Sequence, residues 1–265
     1  MKTKIILIAI LSLTVCQSYI YGQTNEISSF NSDCDSIPQA KDCRATEIVG
    51  IVLPSAMIIY GLISLDNNGI RQVDYNVHNS LERNNRFWNI SADNYVQFVP
   101  AIAAYTLKFC KVKNTNNLLD MTVIYGLSNA LAGGITYGTK IMTGRMRPDK
   151  SNSQSFPSGH TETAFVAAEF LHQEYKDQSA LISVGGYVAA AFVGVARVYN
   201  NKHWVSDVIT GAGVGILSTK AIYWLYPYIN PVVNKILGIK DTSQQTFIYP
   251  QYDNRQFSIM FSKTF

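Results

Sequence analysis

The chain has 265 residues, of which 47% are hydrophobic, 12% aromatic and only 15% charged. A soluble domain usually carries about 25% charged residues, and a disordered chain needs high charge with few aromatics, so disorder is excluded. A net charge of +4, from 22 basic and 18 acidic residues spread along the chain, also excludes a nucleic-acid binder. A tightly packed helical domain and a membrane-embedded one both remain.

Met1 to Lys4 carries two lysines, and Ile5 to Val15 is apolar apart from Ser12 and Thr14. A basic end, a short apolar core and a small-residue region form the layout of a secretory signal, with cleavage expected after Gly22. The apolar run of about eleven residues is too short for a bilayer, which takes roughly 20. A lipoprotein reading on Cys16 is weaker, because Val15 is branched where a small residue is wanted. Export makes a disulfide between Cys34 and Cys43 available, with two free thiols as the open alternative. Cys110, in an apolar stretch, is expected to be buried.

Residues 23–46 read as a polar N-terminal arm and 47–228 as the helical domain. Ile48 to Leu65 is apolar around Pro54. Asp66 to Asp93 is polar, with aromatic anchors Tyr75, Phe87 and Trp88. Val96 to Cys110 is a short helix candidate. Leu118 to Thr139 is a longer one, rich in small residues (Ala130, Ala132, Gly133, Gly134, Gly138) that allow close helix packing. Ser158 to Tyr175, Ala180 to Tyr199 and Trp204 to Tyr226 complete the helices. In the tail, residues 229–265, short strands are expected at Phe247 to Tyr249 and Phe257 to Phe261 around Asp253-Asn254.

Three clusters carry chemistry. Lys140 and Arg147 are seven apart, so on a continuing helix stopped by Pro148 they share one face and suit a phosphate. The plainer reading is two cations that complement a helix dipole or anchor an interface. Pro157-Ser158-Gly159-His160 opens a helix whose N–H groups can bind an anion, with Gly159 admitting it closely and His160 as a proton donor. An ordinary N-cap serine is the competitor for Ser158. In the third cluster, Arg197 precedes His203 and Asp207, which lie four apart on one helix face. A carboxylate on Nδ1–H would leave Nε2 as nucleophile or base; a structural His–Asp pair is the alternative.

Together these residues resemble the type 2 phosphatidic acid phosphatase superfamily, marked by K-x6-RP, PSGH and SR-x5-H-x3-D. Here the blocks stand in family order as Lys140…Arg147-Pro148, Pro157-Ser158-Gly159-His160 and Ala196-Arg197…His203…Asp207, with Ala196 in place of the usual Ser. The resemblance covers residues 140–207 and implies an all-α helical bundle with the active site at one end; it does not extend to residues 23–95 or to the tail, whose short β-like strands are read from the sequence alone. It implies His203 as the attacking nucleophile, Asp207 as its orienting partner and His160 as proton donor. Lys140, Arg147, Ser158, Gly159 and Arg197 would bind phosphate. No metal or other cofactor is implied, and no Asp/Glu/His cluster has ligand spacing. His78, His172, Glu162 and Glu169 match no motif and are expected at the surface.

The superfamily contains lipid phosphatases, bacterial class A non-specific acid phosphatases and vanadium haloperoxidases. If the signal is cleaved, the loops at 140–158 and 200–204 lie outside only when an even number of crossings precedes residue 140. Val96 to Cys110, short and carrying Pro100 and Lys108, is the segment expected not to cross. The expectation is an exported, periplasmic, membrane-contacting phosphatase acting on a phosphorylated lipid or a small phosphate ester. A non-enzymatic membrane or transport protein is the alternative from another class.

Overall fold

The computed structural model describes residues 39–66, 69–88, 91–236, 246–253 and 256–263, and the side-chain environments of those between 50 and 236. The signal segment, Cys16 and the Cys34–Cys43 pairing lie outside the described residues. Among the described residues eight helices follow in order: α1 (Gln39–Ile63), α2 (Gly69–Arg83), α3 (Asp93–Val96), α4 (Val99–Phe109), α5 (Leu118–Thr143), α6 (Gly159–Tyr175), α7 (Ala180–Tyr199) and α8 (Val205–Ile236). An antiparallel hairpin, β1 (Thr246–Asp253) and β2 (Gln256–Lys263), closes the chain, in register from Thr246↔Lys263 to Asp253↔Gln256. The fold is the expected all-α bundle with a β-like tail.

Four boundaries differ from the sequence reading. α1 has already begun at Gln39, within the stretch read as a polar arm. Residues 69–83 of the polar segment form α2, which buries Asp74 and Leu81. α5 runs one turn past Thr139 and stops at Gly144, whose φ of +52° places it in the left-handed region that glycine tolerates best. Arg147 is therefore on a loop, and the shared helix face with Lys140 does not exist. α8 continues through Pro227 and Pro231 to Ile236, since each proline removes only one N–H bond from a 32-residue helix.

α6 is the central helix, packed most extensively on α7 and α8 and also on α4 and α5. Its buried side includes Ala164, Ala167, Ala168 and Phe170. Small residues let the helices close up: Ala132 of α5 is fully buried against Val166 and Val214, while a Cβ on Gly133, Gly134 or Gly138 would meet open space. The close approach is on α8, where a Cβ on Gly211 would lie 2.5 Å from the Ser158 carbonyl and one on Gly215 2.5 Å from that of Glu162. A larger core sits toward the other end of α6, where Phe170, Leu171 and Tyr175 meet Met121, Ile124, Ile222 and Tyr226.

Large apolar side chains stand on the outside of the bundle. Trp224 is 82% exposed and Leu181 79%, and Ile102, Ile141 and Val188 are exposed as well. Among the described residues α5, α7 and α8 are long and apolar enough to cross a membrane, while α4 and residues 50–63 are shorter apolar helices. At about 1.5 Å per residue α4 reaches roughly 16 Å, half a hydrocarbon core. Cys110 is exposed at its end, not buried, because the helix stops one residue before it and the chain turns out.

Candidate active site

α5 ends, α6 starts, α7 ends and α8 starts at the same end of the bundle, and every motif residue lies at one of these four points or on the loops joining them. His203 sits in the turn before α8 and is 2% exposed. Its Nδ1 is 2.8 Å from the carbonyl oxygen of Ser155. A carbonyl can only accept, so the proton is on Nδ1, and Nε2 carries the lone pair. Asp207 Oδ2 is further away, at 3.6 Å. Burial pushes the imidazole below its ordinary value; Asp207 works against this, while Lys140 and Arg197 add to it. The side chain is thus a neutral imidazole with Nε2 available.

Asp207 lies in the first turn of α8 and is completely buried. Its Oδ2 accepts from Ser155 Oγ at 2.5 Å and from the Trp204 backbone N–H at 2.9 Å, the second a reach back across the first helical turn. Its Oδ1 accepts from Arg145 at 2.7 Å. The spacing of four put Asp207 beside His203, but the nearest acceptor for the ring is the Ser155 carbonyl, from a loop the spacing could not reveal.

The cations gather around this histidine. Lys140 Nζ donates to the carbonyls of Gln154 (2.8 Å) and Pro157 (2.6 Å), and so ties the end of α5 to the loop before α6. Burial and then the neighbouring Arg197 work against the charge on Arg147. Nε of Arg147 and Nε of Arg197 are both buried without a hydrogen-bond partner. A buried orphan donor costs free energy, and two on adjacent guanidiniums suit an anion. Ser158 is fully buried at the start of α6; its hydroxyl does not cap the helix but pairs with Thr161 Oγ1 at 2.9 Å. A Cβ on Gly159 would meet nothing within 4 Å, so a ligand can come close to the α6 N-terminus there. His160 Nε2 lies 2.9 Å from Asn94 Oδ1. Burial, followed by the charge of Arg197, lowers its imidazole to about 4.

Several residues beside the site carry no motif signal. Asp93 and Asn94 of α3 hold Arg197 (2.7 Å) and His160 respectively. Arg145 bridges Asp74 and Asp207, each at 2.7 Å, and stands over the Trp204 ring at 5.6 Å. Lys202 and Asp149, 2.8 Å apart, clasp the two site loops together. The one advance hint was the run of aromatics: Tyr75 meets Trp204 edge-on at 5.3 Å, and Trp88 stacks on Tyr199 at 4.4 Å. These contacts draw the polar segment onto the site.

Of the four residues expected at the surface, the two histidines are half-buried and the two glutamates are buried. His78 lies between Phe87 and Trp204, and His172 pairs with Ser183 at 2.9 Å. Glu162 and Glu169 are buried, because α6 is surrounded on all sides. Glu169 is neutralised by Lys220 at 2.8 Å and also accepts from Tyr187 and Gln173. Among the described residues no three His, Cys, Asp or Glu side chains gather closely enough to hold a metal ion.

Residues 121–231 match the family model of the PAP2 superfamily. Over 134 residues it is 42% identical to a lipid A 1-phosphatase of Porphyromonas gingivalis, a match covering 50% of this chain and 30% of the relative. Over 86 residues it is 38% identical to phosphatidylglycerophosphatase B of Bacillus subtilis, covering 28% of this chain and 42% of the relative. The chain thus spans less than half the length of these curated relatives. Among solved structures, a PAP2-type phosphatidylglycerolphosphate phosphatase from Bacillus subtilis aligns with a TM-score of 0.47 at 20% identity. That alignment covers 67% of this chain and 97% of the other. The Aquifex aeolicus LpxE structure aligns with a TM-score of 0.41 at 19% identity, over 50% of this chain and 83% of that one.

Proposed function

We propose that this chain is a metal-independent phosphatase that releases phosphate from a lipid-linked monoester through a phospho-histidine. The observation that carries the reading is the neutral, buried His203, with its proton fixed on Nδ1, among guanidiniums whose Nε donors lack partners. The Nε2 lone pair attacks phosphorus while the bond to the leaving oxygen breaks. Lys140, Arg147, Arg197, the Ser158 hydroxyl and the Gly159 N–H take the equatorial oxygens, where transition-state charge is spread. His160, which takes up a proton when the substrate's dianion binds beside it, gives that proton to the leaving oxygen, and water then attacks the phospho-histidine to release phosphate.

Two observations favour a lipid-linked substrate over a small soluble ester. Large apolar side chains are exposed around the bundle, and three helices have the length and composition of membrane spans. The relatives named lipid A 1-phosphatase and phosphatidylglycerophosphatase B agree with this, and lipid A, phosphatidate and polyprenyl diphosphate are the candidates. The basic, then apolar, N-terminal layout supports export, with the site on the periplasmic face. A soluble, non-specific acid phosphatase is the second reading.

Detergent-solubilised protein is expected to release phosphate from a lipid phosphate in preference to p-nitrophenyl phosphate, with activity surviving EDTA. His203→Ala should lower kcat by on the order of a thousandfold or more. Retained activity in that variant would sink the nucleophile assignment, and loss with EDTA would sink the metal-free one.

A further inference from the structure

Asp207 does not act on His203 alone. Both of its oxygens are committed, Oδ1 to Arg145 and Oδ2 to Ser155 and Trp204. Arg145 in turn spans to Asp74, whose other contacts are the backbone N–H of Ser206 (2.9 Å) and its hydroxyl (2.5 Å). Side-chain exposure is 5% for Arg145 and 0% for both carboxylates. Two buried anions on one cation leave a net charge of −1. One carboxylate would already neutralise Arg145, and an unmatched buried charge is costly, so a purely structural pair does not call for the second.

We propose that Asp74 and Arg145 are positioning residues for His203, and that with Asp207 they form a buried three-charge chain whose net charge governs when the nucleophile is free. The proposal rests on the reading of His203 as nucleophile. When Nε2 bonds to phosphorus, the leaving oxygen departs with the electron pair of its P–O bond and takes the His160 proton. The imidazole keeps its proton on Nδ1 and becomes a cation, and the net −1 of the chain lies next to it. The other charged or titratable groups around His203 are Lys140 from α5, His160 from α6, Arg197 from α7 and, lining the same pocket, His78 from α2; the two cations among them, Lys140 and Arg197, oppose the new charge. Asp74 restores what Arg145 takes from Asp207, which makes α2 part of the catalytic module.

The test is the pH dependence of kcat/KM for p-nitrophenyl phosphate in detergent. Asp74→Asn removes a negative charge, so His203 should lose its proton more readily and the acidic limb should move to lower pH, by roughly half a unit to one unit. Arg145→Gln removes a positive charge and should move the limb the other way. The double variant should return it to the wild-type position, and Asp74→Glu, which keeps the charge, should leave it there even if kcat falls. In Asp74→Asn kcat is expected to drop by on the order of tenfold to a hundredfold, with KM within about twofold. Unchanged limbs, limbs moving in the same direction, or a Glu variant behaving like the Asn variant would overturn the proposal while an inactive His203→Ala left the nucleophile standing. An active His203→Ala would overturn both.

Discussion

As folded, His160 is a neutral imidazole whose surroundings disfavour a second proton: burial and Arg197 hold it at about 4. A dianion between Arg147 and Arg197 reverses the sign of that field and raises its affinity for a proton. Anion binding and proton uptake are therefore linked, and each strengthens as the other is supplied. Sulfate, which stays a dianion throughout, should inhibit more tightly as pH falls from 7 to 5, by up to about tenfold per pH unit for each proton taken up. His160→Asn should flatten the plot of log Ki against pH by the share of this one group. An unchanged slope would mean that His160 does not share a site with the anion. The eight candidate residues could be picked out in the sequence because motif spacing fixes residue type and order. Asn94, Asp93, Arg145 and Asp74 were not, because each acts through a partner 62 to 104 positions away in the chain, as with Arg145 and Asp207 or Asp93 and Arg197.

At the scale of helices, apolar length and terminators told most of the story. They missed α2, whose sequence is polar because it buries only Asp74 and Leu81. They also carried α5 across Gly144 on the strength of a seven-residue spacing that the left-handed cap breaks. Small residues marked close packing in general but not which of them meet a neighbouring backbone. That depends on how the helices face one another, and the answer is α8 against the start of α6. Gly211→Ala should force a Cβ against the Ser158 carbonyl and displace the anion-binding end of α6. The expected cost is about 1–3 kcal/mol in thermal unfolding, with a loss of kcat beyond what stability explains. Gly134→Ala, whose Cβ meets open space on α5, is the contrast: unchanged activity and stability equal or higher by about 0.5–1 kcal/mol. Equal behaviour of the two variants would refute the close-approach argument.

Over the whole molecule, the scarcity of charge matters less than its placement. Lys140, Arg145, Arg147, Arg197, Asp74, Asp93 and Asp207 collect at one end of the bundle, while the flanks of α5, α7 and α8 present aliphatic and aromatic side chains outward. An aqueous protein would hide those side chains and expose the charges. A bilayer inverts that preference for the flanks alone and leaves the charged end in water. Val188, exposed near the middle of α7, tests the inversion. An arginine there should cost about 2.5–3.5 kcal/mol on insertion scales, reducing the carbonate-resistant membrane fraction and the yield of active protein. Asn76→Arg, on the exposed face of α2, should change neither. If Val188→Arg instead stayed active and soluble without detergent, the apolar flanks would not be facing lipid. The soluble phosphatase reading would then take precedence, with the same residues doing the same chemistry on a small ester.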